Sequence, residues 1–366
     1  MNLPSPLDIA AALDRRVIGQ PDAVREMSVA LAKKLAQVHV GNILLIGSSG
    51  SGKTTLMRAV ERFLAERPEL AGLSTSIRVH ANVLGEEAEL GHPGEKLLVR
   101  LINSARQQHG VDTPVDELVE RASRALVFVD EVDKIRSIVG GRPSTSGIRA
   151  QEALLTLIEN EAVQFRLPEW AGGEIVEIDS SGILFVCAGA FEGLYDAVYD
   201  RVTIGDDRGA LQPVTVVEGG KVHEELPFSL RDWLHVQDLF DYGMSPQFLS
   251  RFDAIVLLND LEPDDLVRIF LESPDLGYRQ AEEYFASRGI QLAISPSAVR
   301  RIAEAAAANP RIGARGLKEV FRRVISDYEF DPSLVEGGAG NALMIDLPEV
   351  EAALEHHPSS AAAAKR

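Results

Sequence analysis

A glycine-rich loop placed directly after a short apolar run is the feature that most constrains this chain. The run is Asn42-Ile43-Leu44-Leu45-Ile46, and the loop is Gly47-Ser48-Ser49-Gly50-Ser51-Gly52-Lys53-Thr54. Residues 55–64 then have the periodicity of a helix. Between a strand and a helix, such a loop turns its backbone N–H groups toward a phosphate, with the positive end of the helix behind them. The loop therefore predicts binding of a nucleoside triphosphate, and the alternative is a plain Gly/Ser surface loop.

Within this loop, two side chains have the chemistry that phosphate binding needs. Lys53 would reach the β- and γ-phosphates, and the Thr54 hydroxyl would hold Mg²⁺. A nucleoside triphosphate and Mg²⁺ are therefore the expected ligands.

The order of apolar runs predicts the fold class. Residues 125–129 and 183–186 are unbroken apolar runs, which are typical of strands buried in a parallel sheet. Helical periodicity at 22–38 and 150–160 alternates with these runs. This alternation favours an α/β fold with a parallel sheet and crossover helices.

The pattern changes past residue 260, and 366 residues exceed one average domain. Pro263 and Ser295-Pro296 mark helix starts, and an apolar stripe at helical spacing follows at Leu317, Val320, Phe321, Val324 and Ile325. We predict a large α/β domain over 1–260 with an inserted loop or hairpin at about 200–245. A small, mostly helical domain follows over 261–352, and then a flexible tail over 353–366.

Charge and cysteine content limit the function classes. The net charge of −18 argues against a broad nucleic-acid surface, although a basic pore, to which Arg142 and Arg149 would contribute, is compatible with it. The single cysteine, Cys187, lies in an apolar run, which favours a buried core residue and a reducing compartment. No apolar stretch reaches the roughly 20 residues that span a bilayer, and the N-terminal residues lack a signal-peptide pattern. We expect a cytoplasmic protein with no membrane partner.

An acidic pair, Asp130-Glu131, directly follows the run 125–129. Carboxylates at the C-terminal end of such a strand lie in the crevice where α/β sheets bind ligands. We assign Asp130 to the magnesium shell and Glu131 to the attacking water. A solvated acidic turn is the alternative, but the position downstream of the glycine-rich loop favours the catalytic interpretation.

Two arginines are further candidates. Arg315 lies at the start of the predicted helix 317–325, where a cation is unfavourable unless an anion is nearby. The γ-phosphate would supply that anion, and a solvated arginine is the alternative. Arg251 lies just before the predicted domain junction and has no role assigned by its surroundings alone.

Six segments in order resemble the AAA+ ATPases, specifically the ClpX-type protein unfoldases and their HslU relatives. They are Val17-Ile18-Gly19-Gln20, 42–54, 126–134, 183–194, 246–261 and 313–317, and the resemblance covers about residues 14–335. It implies ATP between the two domains and a hexameric ring of identical subunits that acts on a protein substrate. It also implies that Arg251 is a finger on the neighbouring subunit's γ-phosphate and that Arg315 senses the phosphate of its own subunit.

The resemblance completes the set of candidate residues. The catalytic set is Glu131, Arg251 and Arg315, and the magnesium set is Thr54 and Asp130. The nucleotide-binding set is Val17, Ile18, Gly47, Ser48, Ser49, Gly50, Ser51, Gly52, Lys53, Thr54, Thr55 and Arg315.

Two segments depart from the family pattern. The axial pore loop of that family carries an aromatic–aliphatic pair between glycines, whereas the matching position here is Gly91-His92-Pro93-Gly94. The loop that docks on the peptidase carries Ile-Gly-Phe in that family, whereas the nearest counterpart here is Ile204-Gly205-Asp206. An aspartate would enter an apolar docking pocket only at a large desolvation cost. The altered pore loop puts the usual grip on polypeptide in doubt, and a plain turn is its alternative interpretation.

These departures shape the predicted function. We expect a ring-forming ATPase that remodels or unfolds proteins and is not coupled to the usual peptidase. One alternative is a nucleic-acid-directed motor or loader, which the acidic charge disfavours. The other is a nucleotide-gated scaffold or switch without translocation, which the altered pore loop favours.

Overall fold

The structure is a computed structural model, and its two compact units are described separately. It describes residues 3–67, 70, 75–84, 94–159, 162–205, 207, 211, 214–218, 221–225, 228–273, 277–308, 312–335 and 342–356. The first unit comprises Met1–Ile9, Glu26–Ile46 and Glu61–Leu257, and the second comprises Ala10–Arg25, Gly47–Val60 and Leu258–Arg366. The glycine-rich loop thus groups with the C-terminal part of the chain. The domain boundary at 260 stays a prediction.

Helices and strands alternate along the first two thirds of the chain. The helices are α1 Pro6–Asp14, α2 Pro21–Leu35, α3 Lys53–Ala65, α4 Glu95–His109, α5 Val115–Ala122, α6 Thr145–Ile158, α7 Leu194–Thr203, α8 Leu230–Trp233, α9 Val236–Tyr242, α10 Pro246–Leu249, α11 Pro263–Glu272, α12 Gly277–Ala286, α13 Pro296–Ala307, α14 Arg315–Phe330 and α15 Leu347–His356. The strands are β1 Asn42–Ile46, β2 Ser76–His80, β3 Leu126–Asp130, β4 Ile138–Val139, β5 Arg142–Pro143, β6 Ala162–Arg166, β7 Ile175–Asp179, β8 Leu184–Gly189, β9 Val214–Glu218, β10 Lys221–Glu225, β11 Phe252–Leu257, β12 Gln291–Ile294 and β13 Ala342–Ile345.

A five-stranded sheet in the order β11-β1-β8-β3-β2 forms the centre of the first unit, and its paired strands are parallel. Both β1 and β8 are buried along their whole length, as expected for strands covered on both faces. Side chains of α4, α6 and α7 pack in the same core as the strand residues. The predicted α/β fold with a parallel sheet and crossover helices is confirmed.

In the part of the chain that the structure describes, three antiparallel hairpins interrupt the alternation of helices and parallel strands: β4–β5, β6–β7 and β9–β10. The hairpin β9–β10 lies within the predicted insertion 200–245. That stretch also contains α8 and α9, which its weak periodicity did not predict.

In the second unit, helices α11 to α15 surround an apolar core. Ser295 accepts a hydrogen bond from the Ala298 N–H at 3.3 Å, with Pro296 following, so the predicted helix start is confirmed. The predicted stripe of five apolar residues on α14 is buried. A short parallel pair, β12–β13, joins these helices and was not predicted. Across the described residues, the helices are too short or too polar to cross a membrane.

Candidate nucleotide site and family assignment

The glycine-rich loop has a backbone that only glycine adopts without strain. Gly50 and Gly52 have φ angles of +79° and +108°, in the left-handed region. A Cβ on Gly50 would lie 2.3 Å from the Ile312 carbonyl oxygen, so a side chain there would clash with backbone. The loop ends where α3 begins, at Lys53. This is the strand–loop–helix geometry that the sequence predicted.

The polar groups of this loop fit a phosphate ligand. The Lys53 ammonium is buried and donates to the carbonyls of Gly47 at 2.6 Å and Ser48 at 2.8 Å. Within the described part of the chain, the buried Ser51 hydroxyl finds no hydrogen-bond partner. Thr54 is half-buried in the first turn of α3, and Thr55 beside it is exposed. A cation, an unpaired hydroxyl and a helix N-terminus in one loop suit a bound anion.

Arg315 lies against this loop. Its guanidinium donates to the Ser49 hydroxyl at 2.6 Å, and the Ala314 N–H donates to the Gly50 carbonyl at 3.2 Å. Gly313 has φ +54°, and a Cβ there would lie 2.8 Å from the Gly50 carbonyl carbon. The second unit therefore brings the predicted sensor arginine to the predicted phosphate loop.

The N-terminal motif reaches the same loop through Gln20, which is only 2% exposed. The Gln20 amide donates to the carbonyls of Ser51 at 2.9 Å and Asn259 at 2.8 Å, and its oxygen accepts from the Asn259 N–H at 2.8 Å. Nearby, Val17 is buried and Ile18 is half-buried. In the sequence, Gln20 is the last residue of the motif Val17-Ile18-Gly19-Gln20, and no role was predicted for it. Its signal was a polar residue directly before the start of α2.

The acidic pair lies at the end of β3, as predicted. Glu131 has φ +61°, unusual for a residue with a side chain, and its N–H donates to Asp130 Oδ1 at 2.9 Å. On the neighbouring strand β2, His80 Nδ1 lies 3.7 Å from Glu131 Oε2. Sequence reasoning missed His80, whose only signal is its place at the end of a strand that pairs with β3.

A buried carboxylate fixes the turn that follows. Asp133 Oδ1 accepts a hydrogen bond from the Ala190 N–H at 3.1 Å, just past the end of β8, and Asp133 Oδ2 lies 3.4 Å from the Lys134 ammonium. A Cβ on Gly189 would lie 2.8 Å from Asp133 Oδ1, so the carboxylate needs glycine there. Burial and, second, the charge of Asp133 raise the pKa of Tyr242 to about 12. Within the charged turn, Asp133 is thus packed in the interior of the first unit, whereas Glu131 and Lys134 are exposed.

Arg251 follows α10 and carries a half-exposed guanidinium. Its Nη2 donates to Glu159 Oε1 at 2.7 Å. Its carbonyl accepts from the Asn42 amide at 3.2 Å, and Asn42 Oδ1 accepts from the Phe185 N–H at 3.0 Å. Backbone bonds to the central sheet therefore hold Arg251 in place while its charged end remains accessible.

Comparison with known proteins identifies the family. The family profile of the AAA domain (Cdc48 subfamily) matches residues 38–255, and that of the C-terminal D2-small domain of ClpB protein matches 261–331. The chain is similar to the ATP-dependent Clp protease ATP-binding subunit ClpX 3 of Methylococcus capsulatus, at 34% identity over 90% of this chain and 77% of the relative. The chain is a ClpX-like AAA+ ATPase.

Two further relatives carry the name ATP-dependent Clp protease ATP-binding subunit ClpX. The protein of Porphyromonas gingivalis is 29% identical over 96% of this chain and 83% of its own length. The protein of Bacteroides thetaiotaomicron is 30% identical over 90% of this chain and 77% of its own length. The resemblance stated from the motifs is confirmed, and so is the prediction of an ATP-binding, ATP-hydrolysing enzyme.

The two departures of this ClpX-like ATPase are only partly covered by the structure. Gly91, His92 and Pro93 lie outside the described residues. Gly94 caps α4 with φ +80°, and a Cβ there would lie 2.8 Å from Leu157 Cδ1. Ile204 ends α7 and is 75% exposed, whereas Asp206 lies outside the described residues. Among the residues described, no group of three or more His, Cys, Asp or Glu side chains could hold a metal by itself.

Proposed function

We propose that this ClpX-like ATPase forms a hexameric ring that uses Mg²⁺-dependent ATP hydrolysis to remodel or unfold a protein partner, without the usual Clp peptidase. The observation that carries the nucleotide part is the junction of the phosphate loop with Gln20 and Arg315 in the second unit. The remodelling part is supported by relatives named as ATP-binding subunits of an ATP-dependent protease.

Each candidate residue receives a role under this proposal. Lys53 binds the β- and γ-phosphates, while Thr54 and Asp130 organise the Mg²⁺ shell. The magnesium ion neutralises charge that develops on the phosphates. Glu131 orients and polarises the attacking water.

Arg251 and Arg315 act on the γ-phosphate from two sides in this proposal. Arg251 of the neighbouring subunit reaches the γ-phosphate. Its guanidinium is half-exposed in the single chain, which suits this role. Arg315 reaches the γ-phosphate from the same subunit, since it already lies 2.6 Å from the Ser49 hydroxyl of the loop. Hydrolysis then depends on ring assembly, because one of the two arginines, Arg251, is supplied by the neighbouring subunit.

The sequence Ile204-Gly205-Asp206 supports the absence of peptidase coupling. The exposed Ile204 is followed by Gly205 and then by an aspartate, where the family's docking tripeptide has an aromatic side chain. Asp206→Phe restores that tripeptide, so the variant is expected to bind a Clp-type peptidase that the unaltered chain does not bind. Equal binding by both chains would contradict the uncoupled role.

The central experiment measures ATP hydrolysis per subunit against protein concentration, with ring formation followed by light scattering. We expect activity per subunit to rise as rings form, Glu131→Gln to bind ATP without turnover, and Arg251→Ala to lose turnover while still assembling. Constant activity per subunit at all concentrations would overturn the trans role of Arg251. Molecules that co-purify with the Glu131→Gln ring only when ATP is present then distinguish the three candidate functions. A bound protein supports remodelling, bound nucleic acid supports a nucleic-acid motor, and a stable ring with nothing bound supports a switch.

A further inference from the structure

Gln151 on α6 joins two segments that lie on either side of it in the first unit. It is 2% exposed, and its amide group forms three hydrogen bonds. The Nε2 atom donates to the carbonyls of Ile135 at 2.7 Å and Gly243 at 2.9 Å, and the Oε1 atom accepts from the Ser245 N–H at 2.9 Å. Both amide hydrogens and the carbonyl oxygen are used, so no other side chain type of this size makes the same set of bonds.

The first of these segments follows the acidic pair. Ile135 comes directly after the short helical turn Val132–Lys134, next to Asp130 and Glu131. The backbone here is packed tightly on α6, since a Cβ on Gly147 would lie 1.9 Å from the Arg136 carbonyl oxygen. The segment that follows the acidic turn is therefore in close packing contact with α6, which leaves little room for one to move without the other.

The second segment precedes Arg251. The Gly243 carbonyl accepts from the Ser137 N–H and hydroxyl, both at 2.8 Å, in addition to Gln151. Gly243 has φ +111°, and a Cβ there would lie 2.9 Å from the Ile138 carbonyl oxygen. The turn at Gly243 is therefore fixed directly on the strand residues that follow the acidic turn.

Ser245 connects the Gln151 hydrogen bond to the short helix that precedes Arg251. Its hydroxyl accepts from the Phe248 N–H at 3.3 Å and caps α10, which has four residues. Arg251 follows that helix after one residue. Glu159, the C-terminal cap residue of α6 and eight residues beyond Gln151, accepts a hydrogen bond from the Arg251 guanidinium. One helix thus contacts both the start of α10 and the arginine at its end.

We propose that Gln151 is a positioning residue that couples the acidic turn of one subunit to the Arg251 that the same subunit presents to its neighbour. This inference rests on the proposed trans role of Arg251. In a low-dielectric interior, a fully satisfied amide network holds its members in one arrangement, and partial loss leaves buried polar groups unpaired. The state of the subunit's own site then sets the position of the arginine that completes the next site.

The test compares Gln151→Met, which keeps the length but removes all three bonds, with Glu152→Gln, a matched change at an exposed neighbour on α6. Steady-state hydrolysis is measured over a range of ATP concentrations, together with nucleotide affinity and ring assembly. We expect Gln151→Met to keep nucleotide affinity within threefold, to lose at least tenfold in turnover and to reduce the Hill coefficient to about 1. The control is expected to match the unaltered protein.

A second readout follows hydrogen exchange in residues 244–251 after ATP is added to rings of the Glu131→Gln protein. We expect ATP to change exchange there, and adding Gln151→Met to abolish the change. If Gln151→Met does not assemble, Gln151→Glu replaces it, since a glutamate keeps an acceptor for the Ser245 N–H and loses at least one donated bond.

Arg251→Ala in the same assay separates the two possible failures. Normal hydrolysis by Arg251→Ala overturns the trans role of Arg251 and the coupling with it. If Arg251→Ala is inactive but the Gln151→Met ring keeps unaltered turnover, cooperativity and hydrogen exchange, only the coupling is overturned.

Discussion

Replacing Gln20 by alanine is expected to weaken both the second unit and its nucleotide site. The substitution removes hydrogen bonds to the Ser51 carbonyl, the Asn259 carbonyl and the Asn259 N–H, with distances of 2.8 to 2.9 Å. A hydrogen bond of this kind contributes about 0.5–1.5 kcal/mol net, so three of them amount to about 1.5–4.5 kcal/mol. We therefore expect the free energy of unfolding to fall by about 3 kcal/mol.

The same bonds hold the Ser51 peptide, which belongs to the phosphate loop. If the substitution destabilises the nucleotide-bound state by about 1.4 kcal/mol relative to the nucleotide-free state, nucleotide affinity falls tenfold. The assays are denaturant unfolding without nucleotide and titration with a fluorescent ADP analogue. Glu26→Gln, at an exposed site on α2, the helix that Gln20 directly precedes, is the matched control.

A second variant isolates the donated bonds. Gln20→Glu keeps an acceptor for the Asn259 N–H but places a carboxylate against the carbonyls of Ser51 and Asn259, so its affinity is expected to fall at least as far as that of Gln20→Ala. Unfolding energies within 0.5 kcal/mol of the unaltered protein, or nucleotide affinity within twofold, would refute the reasoning, because buried amides that lose their partners cost more than that.

Three further predictions concern side chains of the first unit, of which Asn42 and Cys187 are buried and Lys34 is partly buried. Asn42→Ala leaves the Arg251 carbonyl without its amide donor, so turnover is expected to fall more than nucleotide affinity, which kinetics and nucleotide titration compare. Burial lowers the pKa of Lys34 from 10.5 to about 8, so the folded state disfavours its charge at pH 7, by up to about 3 kcal/mol at about 1.4 kcal/mol per pKa unit. Lys34→Met is therefore expected to raise the free energy of unfolding at pH 7, although the loss of the hydrogen bond to the Gly182 carbonyl reduces the gain. The gain is expected to disappear as the pH rises from about 8 to 10.5, which urea unfolding at a series of pH values measures. Burial raises the pKa of the Cys187 thiol, so iodoacetamide is expected to label it only after unfolding, and rapid labelling of the native protein would contradict its burial.

The phosphate loop and the central sheet could be predicted from sequence because their signals are local. An apolar run of five residues before a glycine-rich loop specifies strand, turn and helix within a short stretch. The end of β3 then positions Asp130 without reference to any distant residue. Where the signal was weaker, the bounds were wrong by several residues: α6 begins at Thr145 instead of 150, since Thr145, Ser146 and Gly147 are poor helix formers and Ser144 provides the cap.

Short elements and long-range partners could not be predicted. Strands β12 and β13 have four residues each, too few for their alternation to be distinguished from a helix turn or a loop. Gln20 and its partner Asn259 are 239 residues apart, and Gln151 and Gly243 are 92 apart. A glutamine is usually a surface residue, so only its tertiary partners reveal that it is buried and fully bonded.

The use of amides at these positions has an electrostatic reason. Gln20, Asn42 and Gln151 each donate and accept hydrogen bonds while buried. An ionised aspartate or glutamate can only accept, and a protonated one has a single hydrogen to donate. In a chain of net charge −18, an ionised carboxylate in place of Gln20 would add to the repulsion of an anionic ligand at the phosphate loop. The neutral amide of Gln20 organises the backbone of the phosphate loop without that repulsion. For this reason an exchange of Gln20 for glutamate, although nearly the same size, is expected to be at least as damaging to nucleotide binding as its truncation to alanine.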